Sequence, residues 1–386
     1  MKSEWQACTI GELCDSVSVT YRGEDERVVL VNTSDVLNGK VLNHTDEPNQ
    51  NLKGQFKKTF KKNDILYSEI RPANRRFAYI DFDETEKYIA STKLMVIRYR
   101  ENVVEPKFLY FLLTSNDVIR ELQRLAETRS GTFPQITFPA EVATLPVNLP
   151  PLPIQRKITA ILSALDDKIE TNNAICRNLE EQAMALYKSW FVDFEPFQNQ
   201  DFINTAIGII PSDWTVGKLG SIANIVTGKR PKRKTADKNE HDNVPILGAS
   251  GIMGYTNESM YRSKILVIGR VGTLGVVQRV EKDCWPSDNA LVIQSPYYEY
   301  VKQVLVRFDY LSINRGSTQP LITQTDIKNI CVIIPPQHIL KQFEYRVGKC
   351  MNLYSLLLDE TKKLEEMRES LLPKLISGEL SVENIN

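Results

Sequence analysis

An internal repeat constrains what this chain can fold into more than any other feature. Gly131-Thr-Phe-Pro-Gln-Ile aligns with Gly316-Ser-Thr-Gln-Pro-Leu at an offset of 185 residues. Nineteen residues later, with no gap, Pro150-Pro151 aligns with Pro335-Pro336 and Ile154 with Ile339. Near each start, Trp5-x4-Ile-Gly-x-Leu and Trp214-x4-Leu-Gly-x-Ile align at an offset of 209. The two offsets differ by 24, so the first globular half is 24 residues longer than the second. Variation falls in the globular parts and constant spacing in the segments that close them. A chain of 386 residues is also too long for one ordinary domain, which agrees with a duplicated two-part unit.

The closing segments carry apolar residues at a period of 3.5. Steps of four and three from Ile158 give Leu162, Leu165, Ile169, Asn172, Cys176, Leu179, Ala183, Leu186 and Trp190. Adding 185 gives Phe343, Val347, Cys350, Tyr354, Leu357, Thr361, Leu364, Arg368, Leu371 and Leu375. Asp166, Asp167, Lys168, Glu180 and Glu181 fall off the seam. Sustained seams of this kind predict two long helices paired as a coiled coil. Antiparallel pairing would set the globular halves at opposite ends of a rod, and 33 residues from Ile158 to Trp190 span about 50 Å. Two readings of Asn172 stand, a polar residue setting the register of the pair or a plain surface-edge asparagine. Leu149-Pro-Pro-Leu-Pro and Pro335-Pro336 suit a stiff lead-in. Gly378 stops the second helix, with Pro373 kinking or ending it slightly earlier.

The globular halves read as β-rich. Asp64-Ile-Leu-Tyr-Ser, Lys93-Leu-Met-Val-Ile-Arg, Ile265-Leu-Val-Ile-Gly and Ala290-Leu-Val-Ile-Gln are short runs of β-formers bounded by turn residues. Short helices are expected at Phe108–Thr114 and Asp117–Ala126. The fold class is α+β, with five parts: a first β-rich domain over 1–152, a helix over 153–195, a linker over 196–213, a second β-rich domain over 214–335 and a second helix over 336–386. The linker is polar and weakly patterned, as a return crossing would be.

Charge is informative only locally. The 48 basic and 48 acidic residues cancel, which removes the argument from a strongly basic chain to a nucleic-acid partner. Yet residues 53–76 hold Lys53, Lys57, Lys58, Lys61, Lys62, Arg71, Arg75 and Arg76 against Asp64 and Glu69, and residues 229–238 hold Lys229, Arg230, Lys232, Arg233, Lys234 and Lys238 against Asp237. Clustered cations neutralise phosphates, and arginine can fork onto guanine O6 and N7. A solvated basic face is the plain alternative for either run. One run in each copy of the repeat favours a DNA surface over a coiled-coil scaffold without one.

No catalytic constellation is visible. Six cysteines form no Cys-x-x-Cys pair, and the three histidines stand in unrelated contexts, so neither a metal site nor a disulfide framework is expected. Free, mostly buried thiols in a reducing compartment are the expectation. Gly269-x-x-Gly272-x-x-Gly275 lacks the dinucleotide-loop spacing and is followed by β-like Val276-Val277; it reads as a turn between strands with Arg270 at its tip. Walker, His-Glu-x-x-His and Gly-x-Ser-x-Gly motifs are absent, as is the Asn- or Asp-Pro-Pro-aromatic tetrapeptide of amino-methyltransferases. A self-contained methyltransferase or nuclease is therefore the weaker reading. The charged, indole-bearing start is unlike a signal peptide, and no apolar run reaches membrane-spanning length, so a cytoplasmic location with no membrane partner is expected.

The chain resembles the specificity subunits of type I restriction-modification systems over essentially its whole length. The resemblance rests on Leu152-Pro-Ile-Gln-Arg-Lys-Ile through Ala185-Leu-Tyr-Lys-Ser-Trp-Phe-Val-Asp-Phe-Glu-Pro-Phe and on Gly208-Ile-Ile-Pro-Ser-Asp-Trp. Gly316-Ser-Thr-Gln-Pro-Leu-Ile-Thr and Leu371-Leu-Pro-Lys-Leu-Ile-Ser-Gly-Glu-Leu also carry it. It implies two target-recognition domains separated by an antiparallel helix pair, each domain binding one half of a bipartite, asymmetric site in double-stranded DNA. It implies a non-catalytic chain in which the helix pair sets the spacer and docks two modification (methyltransferase) subunits. Those would use S-adenosylmethionine, and restriction (endonuclease and translocase) subunits would use ATP and Mg; no cofactor or metal is implied in this chain. By position, the DNA-binding candidates are Lys57, Lys58, Lys61, Arg71, Arg75, Arg76, Thr132 and Gln135 in the first domain, and Lys229, Arg230, Arg233, Arg270, Ser317 and Gln319 in the second. Leu340 departs from the pattern, standing where the first copy has Gln155.

Overall fold

A computed structural model describes residues 5–23, 25–50, 54–129, 132–316 and 320–382. Its α-helices are α1 (Ile10–Leu13), α2 (Pro106–Leu113), α3 (Asn116–Arg129), α4 (Leu152–Phe191), α5 (Tyr298–Arg307), α6 (Gln324–Lys328) and α7 (Gln337–Ile376). The chain divides into two compact units, Met1–Thr171 with Glu360–Asn386, and Asn172–Asp359.

In the first unit a four-stranded antiparallel sheet has the order Cys14–Val17, Leu94–Tyr99, Ile65–Ser68, Phe77–Tyr79. A second sheet has the order Glu47–Pro48, Arg27–Val31, Tyr88–Ser91, Phe56–Lys58. Strand alternation explains how the first sheet serves two cores. Ile65, Tyr67, Met95 and Ile97 join α2, α3 and the helix-pair residues Ile158, Leu162, Leu372 and Leu375. Leu66, Leu94 and Val96 point the other way, into a core shared with Val29, Val31 and Ala90 of the second sheet. Such strands are buried on both faces and read as continuous apolar runs.

The second unit repeats the plan. Its four-stranded sheet runs Asn224–Thr227, Ala290–Gln294, Ile265–Gly269, Val277–Val280, beside a three-stranded sheet of Ile252–Thr256, Val244–Leu247 and Trp285–Pro286. Leu266, Ile268, Leu291 and Ile293 face the helix-side core, while Ile265, Val267, Ala290 and Val292 face the other. The aromatic run that ends and follows α4 also belongs to this unit: Trp190, Phe191, Phe194 and Phe197 join one core with Trp214, Phe197 and Trp214 lying edge to face at 5.0 Å between centroids.

The repeat extends to hydrogen-bond register. Gln6 pairs opposite Leu149 at the base of one unit, and Thr215 opposite Ile334 at the base of the other, positions related by the sequence offsets of 209 and 185. The alignment around Gly131 and Gly316 is corrected by one residue. Pro134 and Ile136 occupy the places of Pro320 and Ile322, an offset of 186. The extra residue in unit 2 lies between Gly316 and Pro320. Unit 1 compensates at Phe138–Val142, which forms a π-helical turn where unit 2 has α6. Thr137 is capped by Glu141 four residues on, Thr323 by Asp326 three residues on, and the offset returns to 185.

The long helices pair antiparallel within each unit. In unit 1, Ile158 and Leu162 of α4 pack with Leu372 and Leu375 at the far end of α7. In unit 2, Leu179, Ala183, Tyr187 and Trp190 pack with Phe343, Val347 and Met351 near its start. Every seam residue named from the sequence is buried or half-buried: Leu162, Asn172, Leu179 and Val347 are buried, while Leu165, Ile169, Leu186, Tyr354, Leu357, Leu364 and Leu371 are half-buried. Asn172 is fully buried, which excludes the surface-edge reading. Asp166, off the seam by spacing, forms an ion pair at 2.5 Å with Arg368, on it.

Three expectations are corrected. α7 runs through Pro373 to Ile376, because a proline in the last turn loses one N–H but its carbonyl still accepts from Ser377 at 2.9 Å; Gly378, at φ 69°, ends the turn. The segment 196–213 contains a hairpin of Phe202–Thr205 and Gly208–Pro211 rather than an unpatterned crossing. Cys14, Cys176 and Cys284 are buried but Cys8 and Cys350 are half-buried and Cys331 exposed, so the thiols are free and only half of them buried.

Candidate nucleic-acid interface

Some of the sequence candidates, Arg71, Arg75 and Arg76 in unit 1 and Lys229, Arg230 and Arg270 in unit 2, lie at one end of each four-stranded sheet. In unit 1 the strand Ile65–Ser68 leaves the sheet beside the start of Leu94–Tyr99, and Glu69 N–H donates to the Lys93 carbonyl at 3.0 Å. The following loop is stitched to the segment before the π turn at three points. Ile136 N–H donates to Glu69 (2.9 Å), Ile70 bridges Gln135, and Arg71 N–H donates to Pro134 (3.1 Å). Arg71 and Arg75 flank a short 3-10 turn, Pro72–Asn74, and both hold left-handed backbones at φ 45° and 53°.

The side chains of this loop differ in freedom. Arg75 donates to the Asn116 side chain at the start of α3, and the Gln123 side chain of α3 accepts from Ala73 N–H at 3.0 Å. Arg76 is spent on the Ser34 carbonyl at 2.9 Å. Arg71 is exposed, and its guanidinium has no hydrogen bond or ion pair among the described residues. Thr132 is exposed and Gln135 half-buried, its oxygen 3.5 Å from the Lys93 ammonium, which also pairs with Glu69.

The basic run 53–76 does not form one face. Lys58 turns inward, donating to the carbonyls of Thr92 (3.0 Å) and Leu94 (2.8 Å); burial pulls its pKa down, opposed by Glu69. Lys62 pairs with Asp83 at 2.8 Å. Lys57 and Lys61 are exposed. Asp64, fully buried, accepts from Lys61 N–H and binds Arg98 with both oxygens, so it holds structure rather than facing solvent.

Unit 2 builds the same end differently. Gly228 N–H donates to Ala290 and Lys229 N–H to Pro286, while Arg270 N–H donates to Asn289 at 2.9 Å. Lys229 and Arg270 therefore leave the sheet on either side of Pro286–Ala290. A Cβ at Gly228 would sit 2.3 Å from the Ser287 carbonyl, so only glycine admits this approach. The loop after Ile265–Gly269 has the same three stitches as in unit 1: Ile322 N–H to Arg270, Val271 bridging Leu321, and Gly272 N–H to Pro320. Lys229 and Arg230 are exposed and Arg270 is half-buried. Arg233 is exposed but pairs at 2.9 Å with Asp242, whose carboxylate is fully buried. Ser317 and Gln319 lie outside the described residues.

Sequence reading missed the braces. Asn116 and Gln123 sit on a helix that was read for its apolar period, and Lys93 and Asn289 sit at strand edges. What marks them is a hydrogen bond across tens of residues, which leaves no local signal. Among the described residues no group of histidine, cysteine or carboxylate side chains could hold a metal ion, and no helix is long and apolar enough to cross a membrane.

Two similar α+β units, each presenting stitched loops and cations at one sheet end and each closed by long paired helices, define a duplicated recognition protein. The chain matches the family described as type I restriction modification DNA specificity domain over residues 2–181 and 211–344, and it belongs to that family. It is 30% identical to the type I restriction enzyme HindI specificity subunit of Haemophilus influenzae, covering 98% of this chain and all of that one. It is 27% identical to the MjaIX specificity subunit of Methanocaldococcus jannaschii, over 73% of this chain and 71% of that one. The crystal structure of the type I restriction-modification S subunit from M. genitalium shares the fold, with a TM-score of 0.61 at 16% identity over 96% of both chains. The chain is thus a DNA-specificity subunit, a recognition rather than a catalytic component, that acts with DNA and with other subunits.

Proposed function

We propose that each unit of this specificity subunit reads one half of a bipartite, asymmetric DNA site. The recognition domains would be residues 1–152 and 214–335, and the helices within 153–195 and 336–386 would set the unspecified spacer and dock two modification subunits. The linker 196–213 returns the chain between units. S-adenosylmethionine would be bound by the modification subunits, which flip and methylate the target base, and ATP with Mg by restriction subunits; the assembly would work in the cytoplasm. The observation that carries this reading is the equivalence of the two loop-bearing sheet ends: the same three backbone stitches hold a loop at 69–76 and at 270–276. Shared scaffolding with unshared side chains is what two readers of different half-sites require. Lys57, Lys61, Arg71, Lys229, Arg230 and Arg270 are its leading contacts. Lys58, Arg75, Arg76 and Arg233 serve first as internal ties, Thr132 and Gln135 flank the loop of unit 1, and Ser317 and Gln319 are candidates from the sequence.

The test is gel shift and methylation of a random-sequence DNA library with this chain alone, with modification subunits, and with both. A bipartite methylated motif is expected only when both are present. Methylation by the chain alone, or a motif with a single uninterrupted block, would defeat the reading.

A further inference from the structure

The reading loops of the two units match when counted from each end, that of unit 1 being one residue longer, and at two of the matched positions they differ in a way that conformational freedom does not favour. Counted from the incoming strand, Arg71 takes the place of Gly272, since both donate their N–H to the stitching proline. Counted back from the outgoing strand, where Phe77 pairs with Tyr67 and Val277 with Ile268, Arg75 takes the place of Gly275. All four residues have left-handed backbones, at φ 45° and 53° for the arginines and 84° and 82° for the glycines. Glycine adopts that conformation freely and arginine does not. Unit 2 therefore shows the unstrained way to build this loop, and unit 1 keeps two strained arginines instead. Strain of this kind persists where the side chain it carries is used.

The two arginines are not equivalent. Arg75 is tied to Asn116 and braces the loop. Arg71 is exposed, stands next to the buried Pro72, whose ring limits φ, and has no polar partner among the described residues. A flexible lysine on an ordinary backbone suffices for a phosphate. A guanidinium raised on a stitched loop, with its donors uncommitted, instead offers two parallel N–H groups to a planar pair of acceptors.

Resting on the half-site reading above, we propose that Arg71 is a base-reading residue: its guanidinium forks onto O6 and N7 of a guanine in the half-site bound by unit 1. Gly272 removes that contact from unit 2, whose half-site is read without it.

The experiment is single-molecule sequencing of methylated DNA from cells carrying the modification subunits with the wild-type chain, R71K, R71A or R71G. Wild type should give a bipartite motif with a guanine, on one strand or the other, in one half. All three variants should lose the preference at that position by about ten- to a hundredfold, with the other half unchanged. R71G should also melt at or above the wild-type temperature, because glycine relieves the backbone. If R71K keeps the wild-type motif while R71A weakens methylation evenly, the contact is to phosphate and the proposal falls. A lower melting temperature for R71G would overturn the strain argument. A wild-type chain with no bipartite motif would sink the half-site reading itself.

Discussion

Where each unit meets the long helices, both must satisfy the same orphan groups, and they do so with the carboxyl group placed on opposite partners. α2 in unit 1 and α5 in unit 2 each begin against a long helix and expose unpaired N–H groups there. In unit 1 the carboxylate belongs to the domain: Glu105 accepts from Phe108 N–H at 2.6 Å and from the Thr159 hydroxyl of α4 at 2.7 Å. Gln155 of α4 completes the joint, accepting from Glu105 N–H at 2.8 Å and donating to the Pro150 carbonyl at 2.8 Å. In unit 2 the carboxylate belongs to the long helix: Glu344 of α7 accepts from Tyr300 N–H at 2.9 Å and Glu299 N–H at 3.1 Å. Thr159 and Glu344 are related by the 185-residue offset, as are Gln155 and Leu340. The anomaly at Leu340 is thereby explained. Once Glu344 caps the domain helix directly, the amide has no task, and Leu340 joins the apolar core with 1% exposure. The two units conserve a requirement, a carboxyl acceptor for the free N–H groups at a helix start, and not the residue that meets it.

This comparison can be broken most forcefully at Gln155. Gln155→Leu, which installs the sister unit's residue, should destabilise unit 1 by about 3 kcal/mol, because it strands the Glu105 N–H and the Pro150 carbonyl. Calorimetry, with hydrogen exchange at Glu105–Phe108 to localise the loss, measures it; a change below about 1 kcal/mol would mean that water replaces the amide. The converse, Leu340→Gln, should cost unit 2 about 2 kcal/mol by burying an amide among apolar side chains. A neutral result would show that the joint of unit 2 has room for both solutions.

The smallest effect is on pH dependence. Burial pushes the Glu344 carboxyl up to about 7, helped by nearby Glu299 and opposed by the two N–H donors and by Arg279. Because its folded pKa lies above the ordinary 4.5, the folded chain holds that proton more tightly than the unfolded one. Its contribution to stability is therefore largest below about pH 4.5 and declines as pH rises through about 7. Glu344→Gln should flatten this slope, seen as a smaller shift in melting temperature between pH 5.5 and 8 than wild type shows. An unchanged slope would place the titrating group elsewhere.

Much of the architecture was legible in the residues because it depends on periodicity, which is local. The strands at 64–68, 93–98, 265–269 and 290–294, the helices near 108–114 and 117–126, and the 33-residue seam from Ile158 to Trp190 each announce themselves within one continuous stretch of chain. The candidate interface was legible only in part. Arg71 and Arg270 could be named from charge. That Lys58 faces carbonyls, Arg76 a carbonyl and Arg233 a buried Asp242 could not, since the first two have partners tens of residues away and the burial of Asp242 depends on the folded loop.

The sequence alone determined that the chain is a duplication, with α+β halves closed by long helices, because a repeat and a hydrophobic period are properties of order along the chain. Tertiary structure decided which residues are equivalent. The one-residue slip at Pro134 and Pro320 is absorbed by a π turn, and Arg71 answers to Gly272 rather than to any residue near it in an alignment. Hydrogen-bond register, not spacing, sets those correspondences, and register exists only once strands distant in sequence have met.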